Sequence, residues 1–210
     1  MKRHFLSLCF VLFLSTAAAA GIEAPDLLVR DVSNDVLTIV RKDEAIQAGD
    51  TRRVVDLVEA KVLPHFNFRR MTMLAVGKDW RQATPEQQAK LIEAFRTLLV
   101  RTYSNALTQY RDQTIEYKPL RVSPSDTTVR VQTEIRQAGA QPVQIDYALE
   151  KTEHGWKVFD VIVAGVSLVT NYRGSFAQEV RAGGIEGLIR SLQAKTRQLG
   201  DAQQHAGVRT

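Results

Sequence analysis

The 210-residue chain predicts an α+β fold, in which a four-stranded antiparallel sheet carries helices on its concave face around an apolar hollow. Three observations predict it. From Ile115 to Val163 apolar residues fall largely at every second position, the period of a strand, whereas before and after this stretch they recur at three and four, the period of an amphipathic helix. The breaks between the later strand segments are short, which makes the sheet an antiparallel meander. In the last strand, Trp156 to Val163, each alternating set carries three apolar residues and one charge. That fits a strand covered on both faces, or covered on one and facing an apolar hollow on the other.

The first twenty residues stand apart. Lys2, Arg3 and His4 precede an apolar run from Phe5 to Leu14, and Ala18 and Ala20 supply the small residues of an A-x-A cleavage site, so residues 1–20 read as a cleaved secretory signal peptide. The run is about half of the roughly 20 residues a membrane span requires. Cys9, the only cysteine, lies inside this segment, which leaves the exported domain, residues 21–200, with no thiol or disulfide in an oxidising compartment. Removing Lys2 and Arg3 from 28 basic residues leaves 26 against 23 acidic ones, a net charge of +3. This is too mild for a nucleic-acid surface, which carries a dense cationic stripe.

Pro25 suits the first turn of a helix, whose stripe of Leu28, Val32, Val36 and Ile39 predicts a helix to Gln47. Gly49 ends it, and Asp50 caps the next, with Val54, Leu57, Val58 and Val62 on its apolar side and Pro64 as its stop. His65 to Lys78 reads as a short helix or turn under the core. In Thr84-Pro85-Glu86-Gln87 the threonine caps, proline takes the first helical position and Gln87 completes a capping box. The helix that follows carries a broad stripe from Leu91 through Phe95, Leu99 and Tyr103 to Tyr110.

The strands are Ile115–Arg121, an edge because of Pro119, then Thr127–Ile135, Val143–Lys151 and Trp156–Val163. After Gly165 the period changes again, and Val166, Val169, Arg173, Phe176 and Val180 form a helical stripe. Gly183 and Gly184 stop it, and Ile185, Leu188, Ile189 and Leu192 begin another. Residues 201–210 lack apolar content and read as a disordered tail.

Reaction chemistry is sparse. His65, His154 and His205 share no ligand spacing, and no nucleophile elbow, P-loop or dinucleotide fingerprint is present. Asp160, between Phe159 and Val161, has two readings. It is a general base in an apolar pocket with Tyr103 or Tyr147 as donor, or it pairs with Arg173 or a backbone amide, which buried carboxylates ordinarily do.

Three segments carry a resemblance: VLPHFNFRRMTMLAVGKDWRQATPEQQAKLIEAF, LLVRTYSNALTQY and WKVFDVIVAGVSLVTNYRGSF. They resemble the MlaC family, also called the toluene-tolerance family, in order from Val54 to Leu192, with Asn67 and Ala164 where many members have acidic residues. The resemblance implies a four-stranded sheet embraced by six to seven helices, related to the cone-shaped NTF2-like group. It implies a monomeric periplasmic phospholipid carrier without catalysis or cofactor, with phospholipid as cargo. The implied partners are an inner-membrane ABC transporter with an MCE-domain ring and an outer-membrane lipoprotein and porin complex, and the implied role is upkeep of outer-membrane lipid asymmetry. A small NTF2-like enzyme using Asp160, or an adaptor that carries no lipid, are the alternatives.

For such a carrier, the alternation places Ile145, Tyr147 and Leu149, with Phe159, Val161 and Val163, toward the hollow. The helices add Phe95, Leu99, Tyr103, Val166, Val169 and Phe176. Tyr172 and Arg173 stand near the mouth, where a guanidinium can meet a phosphate.

Overall fold

The computed structural model describes residues 23–207, so the expected signal peptide and residues 208–210 lie outside the described residues. Helix α1, Pro25–Lys42, begins at the proline as expected, but it is shorter than its apolar period suggests. Asp43 leaves the helical conformation and accepts hydrogen bonds from the amides of Ala45 and Ile46 at 3.1 and 3.2 Å, which starts the one-turn helix α2, Glu44–Gln47. A side chain that satisfies two orphan amides ends one helix by capping the next. Asp50 does the same for α3, Thr51–Lys61, by accepting from the Arg53 amide. After a 3-10 turn at Leu63–His65, α4 spans Phe68–Val76, and a second 3-10 turn covers Gly77–Gln82.

Helix α5, Pro85–Tyr103, opens with the full capping box: the Gln87 amide donates to Thr84 Oγ1 at 3.2 Å and the Thr84 amide to Gln87 Oε1 at 3.0 Å. Thr84→Ala is expected to lower the unfolding free energy by about 1 kcal/mol, read from urea denaturation, with the fold intact. Beyond Tyr103 the chain tightens into a 3-10 helix, Ser104–Gln109, where the sequence period suggests a longer α-helix.

The sheet has five strands in the order β1-β2-β3-β4-β5, all antiparallel: β1 Thr114–Tyr117, β2 Thr128–Arg136, β3 Val143–Thr152, β4 Gly155–Val163 and β5 Val166–Ser167. β1 is an edge and stops two residues before Pro119. The fifth strand is the short return of β4: Val166 pairs with Val163, so a residue expected to open a helical stripe is part of the sheet.

The register of β3 on β4 shifts between Ala148 and Leu149. Tyr147 faces Val161, but Leu149, two residues on, faces Val158, three residues back. One extra residue on β4 makes a bulge, which puts Trp156 and Val158 on the same side as Val161 and Val163. This explains why both alternating sets of β4 are apolar: each crosses from one face of the sheet to the other at Phe159–Asp160.

The last helix, α6, spans Leu168–Gly207 and is broken at Gly183–Gly184, where Gly184 has φ 64°. The glycine stop is therefore real, and the second half resumes with Ile185, Leu188 and Leu192 buried. The helix continues past Asp201, where the sequence suggests a tail without structure. Helices α4, α5 and α6 share one core around Phe95, Phe176 and Leu188, α1 to α3 share a second, and the sheet closes a third beneath Leu28 and Val29.

Candidate functional site

Between these three cores the interior is open. A cavity of about 750 Å³ lies between the concave face of the sheet and the helices. Its floor is the side of the sheet that carries Ile115, Ile135, Ile145, Tyr147, Val158, Val161 and Val163, and α1 covers it with Leu28, Val29, Val32 and Val36. Val58, Val62, Phe66, Phe68 and Met71 close one wall, and Leu99, Tyr103 and Leu107 the other. The side chains at the deep end are sealed, with Val158 at 4% exposure and Val36 at 5%. At the other end Tyr103, Val163 and Val166 are 40–59% exposed and mark the mouth. The two stretches that supply this rim, residues 102–110 and 161–172, contain no Asp, Glu, Lys or Arg.

The wall disfavours charge. Burial, with the Lys157 ammonium nearby, holds the His65 imidazole below its ordinary value of 6.5. Burial likewise pushes the Tyr147 phenol up to about 12. Both shifts favour the neutral form, as expected for groups withdrawn from water by burial. Among the described residues no group of His, Cys, Asp or Glu could hold a metal ion, and no helix is long and apolar enough to cross a membrane.

Of the side chains that the sequence places toward the hollow, Leu99, Tyr103, Ile145, Tyr147, Val161, Val163 and Val166 line the cavity together. The other seven lie elsewhere. Phe95, Tyr172 and Phe176 form a ring cluster with centroids 5.1–5.4 Å apart in the helical core, and Val169 is buried in the same core. Leu149 is on the cavity side of the sheet but is fully buried with Leu28, Val29 and Trp156. Phe159, at the bulge, lies under the guanidinium of Arg70. Arg173, expected near the mouth, is not among the residues that line the cavity, and it donates to the Leu74 carbonyl at 3.1 and 3.0 Å, which ties α6 to α4.

Asp160 does not line the cavity. It accepts from Ser167 Oγ at 2.5 Å and from the Val169 amide at 3.1 Å, which caps the start of α6. The backbone-amide reading holds, and Arg173 is not its partner. The wall from α1 and the 62–71 stretch is missing from the sequence reading. Its signal was present in the Leu28–Val32–Val36 stripe, which looks the same whether a helix covers a packed core or an empty one.

A family model for MlaC proteins matches residues 30–194. The chain belongs to the MlaC family. It is 25% identical over 203 residues to the intermembrane phospholipid transport system binding protein MlaC of Haemophilus influenzae, covering 94% of this chain and 95% of that one. The toluene tolerance protein ttg2D of Pseudomonas putida is 33% identical over 105 residues, about half of each chain. Among solved structures, the phospholipid-binding protein from Ralstonia solanacearum in complex with a phospholipid, at 1.53 Å resolution, is similar with a TM-score of 0.79 and 37% identity, over 85% of this chain and 99% of that one. The α+β architecture built on an antiparallel sheet is thus the MlaC fold, with five strands where the sequence suggests four.

Proposed function

We propose that this MlaC-family chain is a periplasmic phospholipid carrier, which shields acyl chains in the 750 Å³ cavity and leaves the headgroup at the mouth. The observation that carries this reading is the cavity itself: lined predominantly by apolar side chains, closed at one end and open at the other between two stretches without charged residues. Burying a methylene is worth about 0.8 kcal/mol, so two chains of about 16 carbons gain on the order of 20 kcal/mol when fully shielded. A shallow patch gives a fraction of that, and lipid on it would return to a membrane at once. The relatives named above add support, since their descriptions concern phospholipid binding and transport.

In this reading the chain is exported after cleavage near Ala20. It works between an outer-membrane lipoprotein and porin complex and an inner-membrane ABC transporter with an MCE-domain ring. The uncharged rim suits hand-off, because an apolar tail crossing it meets no ion that has to shed water. Organic extraction of the purified protein, followed by mass spectrometry, is expected to release about one phospholipid per chain. Protein that binds no lipid even after incubation with phospholipid vesicles would sink the carrier reading.

A further inference from the structure

Ser104 sits at the junction of α5 with the 3-10 helix and lines the cavity. It is 4% exposed, and its Oγ has no hydrogen-bond partner. Its neighbours in the helices behave differently. Thr72, Thr97 and Thr102 each donate to the carbonyl four residues back, and Thr108 and Ser175 to the carbonyl three back. Such back-bonding is the ordinary fate of a helical hydroxyl. Ser104 departs from this: its amide donates to the Val100 carbonyl four residues back, but its hydroxyl remains unspent. A buried hydroxyl without an acceptor is costly and calls for an explanation.

Its position suggests the missing acceptor. Tyr103, the preceding residue, is 44% exposed at the mouth, and Ser104 follows it in the cavity lining at 4% exposure. In a phospholipid held with its tails inward, the ester carbonyls occupy that level, between the headgroup outside and the hydrocarbon within. The Oγ itself is shielded in the structure, so a hydrogen bond to cargo requires rotation about the Ser104 Cα–Cβ bond toward the cavity that the residue lines.

We infer that Ser104 donates a hydrogen bond to an acyl-ester carbonyl of the cargo, fixing how deep the lipid sits and favouring ester-linked over ether-linked lipid. This rests on the carrier reading. A neutral hydrogen bond of ordinary strength corresponds to a preference of about 3- to 10-fold. An ether oxygen at the same level lacks the carbonyl acceptor, and its two chains fill the cavity equally well.

The test is displacement of a pyrene-labelled phospholipid from the purified protein by two competitors, diacyl and dialkyl phosphatidylglycerol of matched chain length. The wild-type protein is expected to prefer the diester by about 3- to 10-fold, Ser104→Ala to bind both alike, and Ser104→Thr, which keeps a hydroxyl, to retain the preference. A wild-type ratio of one, or a preference that survives in Ser104→Ala, overturns the assignment while leaving the carrier reading standing. Failure of both competitors to displace the probe, together with extraction that yields no lipid, overturns the carrier reading instead. If the alanine variant does not fold, Ser104→Cys, close in shape but with a poorly donating thiol, takes its place: a preference that falls toward one supports the assignment and an undiminished one overturns it.

Discussion

Val161→Glu protein is expected to leave purification with less than about a tenth of the wild-type phospholipid while melting within a few degrees of it. Val161 is half-buried, touches the sheet core on one side and faces the open interior across from Tyr147, so the longer side chain has room to extend into the cavity. The cost arises only when cargo arrives. A carboxylate pressed against acyl chains must lose its water or take up a proton, and either is worth several kcal/mol, more than a tenfold loss of affinity. Val166→Glu serves as the comparison. At 59% exposure its carboxylate can turn to solvent at the mouth, and a much smaller loss is expected. Equal lipid content in wild type and Val161→Glu, measured by extraction and mass spectrometry, would show that this wall does not touch the cargo.

Phe95→Ala is expected to do the reverse. Phe95 is fully buried and meets Tyr172 and Phe176 edge-on, at 5.1 and 5.2 Å between ring centroids. Truncation removes a large buried side chain and leaves a hole that the three packed helices cannot collapse around, a loss of about 3–5 kcal/mol. A domain with a total stability of about 5–15 kcal/mol is left marginal, and urea denaturation should show an early midpoint. Lipid per folded chain should stay at the wild-type value, because the ring cluster lies in the helical core outside the cavity. Loss of lipid at undiminished stability would instead place Phe95 in the cavity wall.

These two positions show what the sequence could and could not reveal. The side-chain caps at Thr84 and Asp50 made two helix starts legible, whereas those at Asp43 and Asn67, set within apolar periods that run past them, did not, and the glycine stop at 183–184 was legible because few other residues adopt its backbone conformation. The faces of β2 and β3 followed from strict alternation. β4 did not, since alternation carries a facing assignment along a strand only while the register holds, and the bulge inverts it between Val158 and Val161. Phe159 was therefore assigned to the cavity and Val158 was not. On the helices, periodicity identifies the inward stripe but not what the stripe meets. Phe95 and Leu99 share a stripe one turn apart, yet Phe95 is locked among other rings while Leu99 reaches the cavity. Polar satisfaction is likewise invisible in sequence, which is why the unspent hydroxyl of Ser104 emerged only from the structure.

The sheet ends on both sides in short strands: four residues in β1 and two in β5. An exposed strand edge is a template on which another chain can add and from which fibrils grow. Here an incoming strand would find at most four residues to pair with at β1, bordered by Pro119 and by the paired charges of Glu116, Lys118 and Arg136. At the other side β5 offers two residues, and the edge of β4 beyond it is bridged at Val158 by Phe66 and by the Asn67 amide, which donates to the Val158 carbonyl at 2.8 Å. A protein that must hold an oily interior open is thereby kept from polymerising through its own backbone, even at the moment when that interior stands empty.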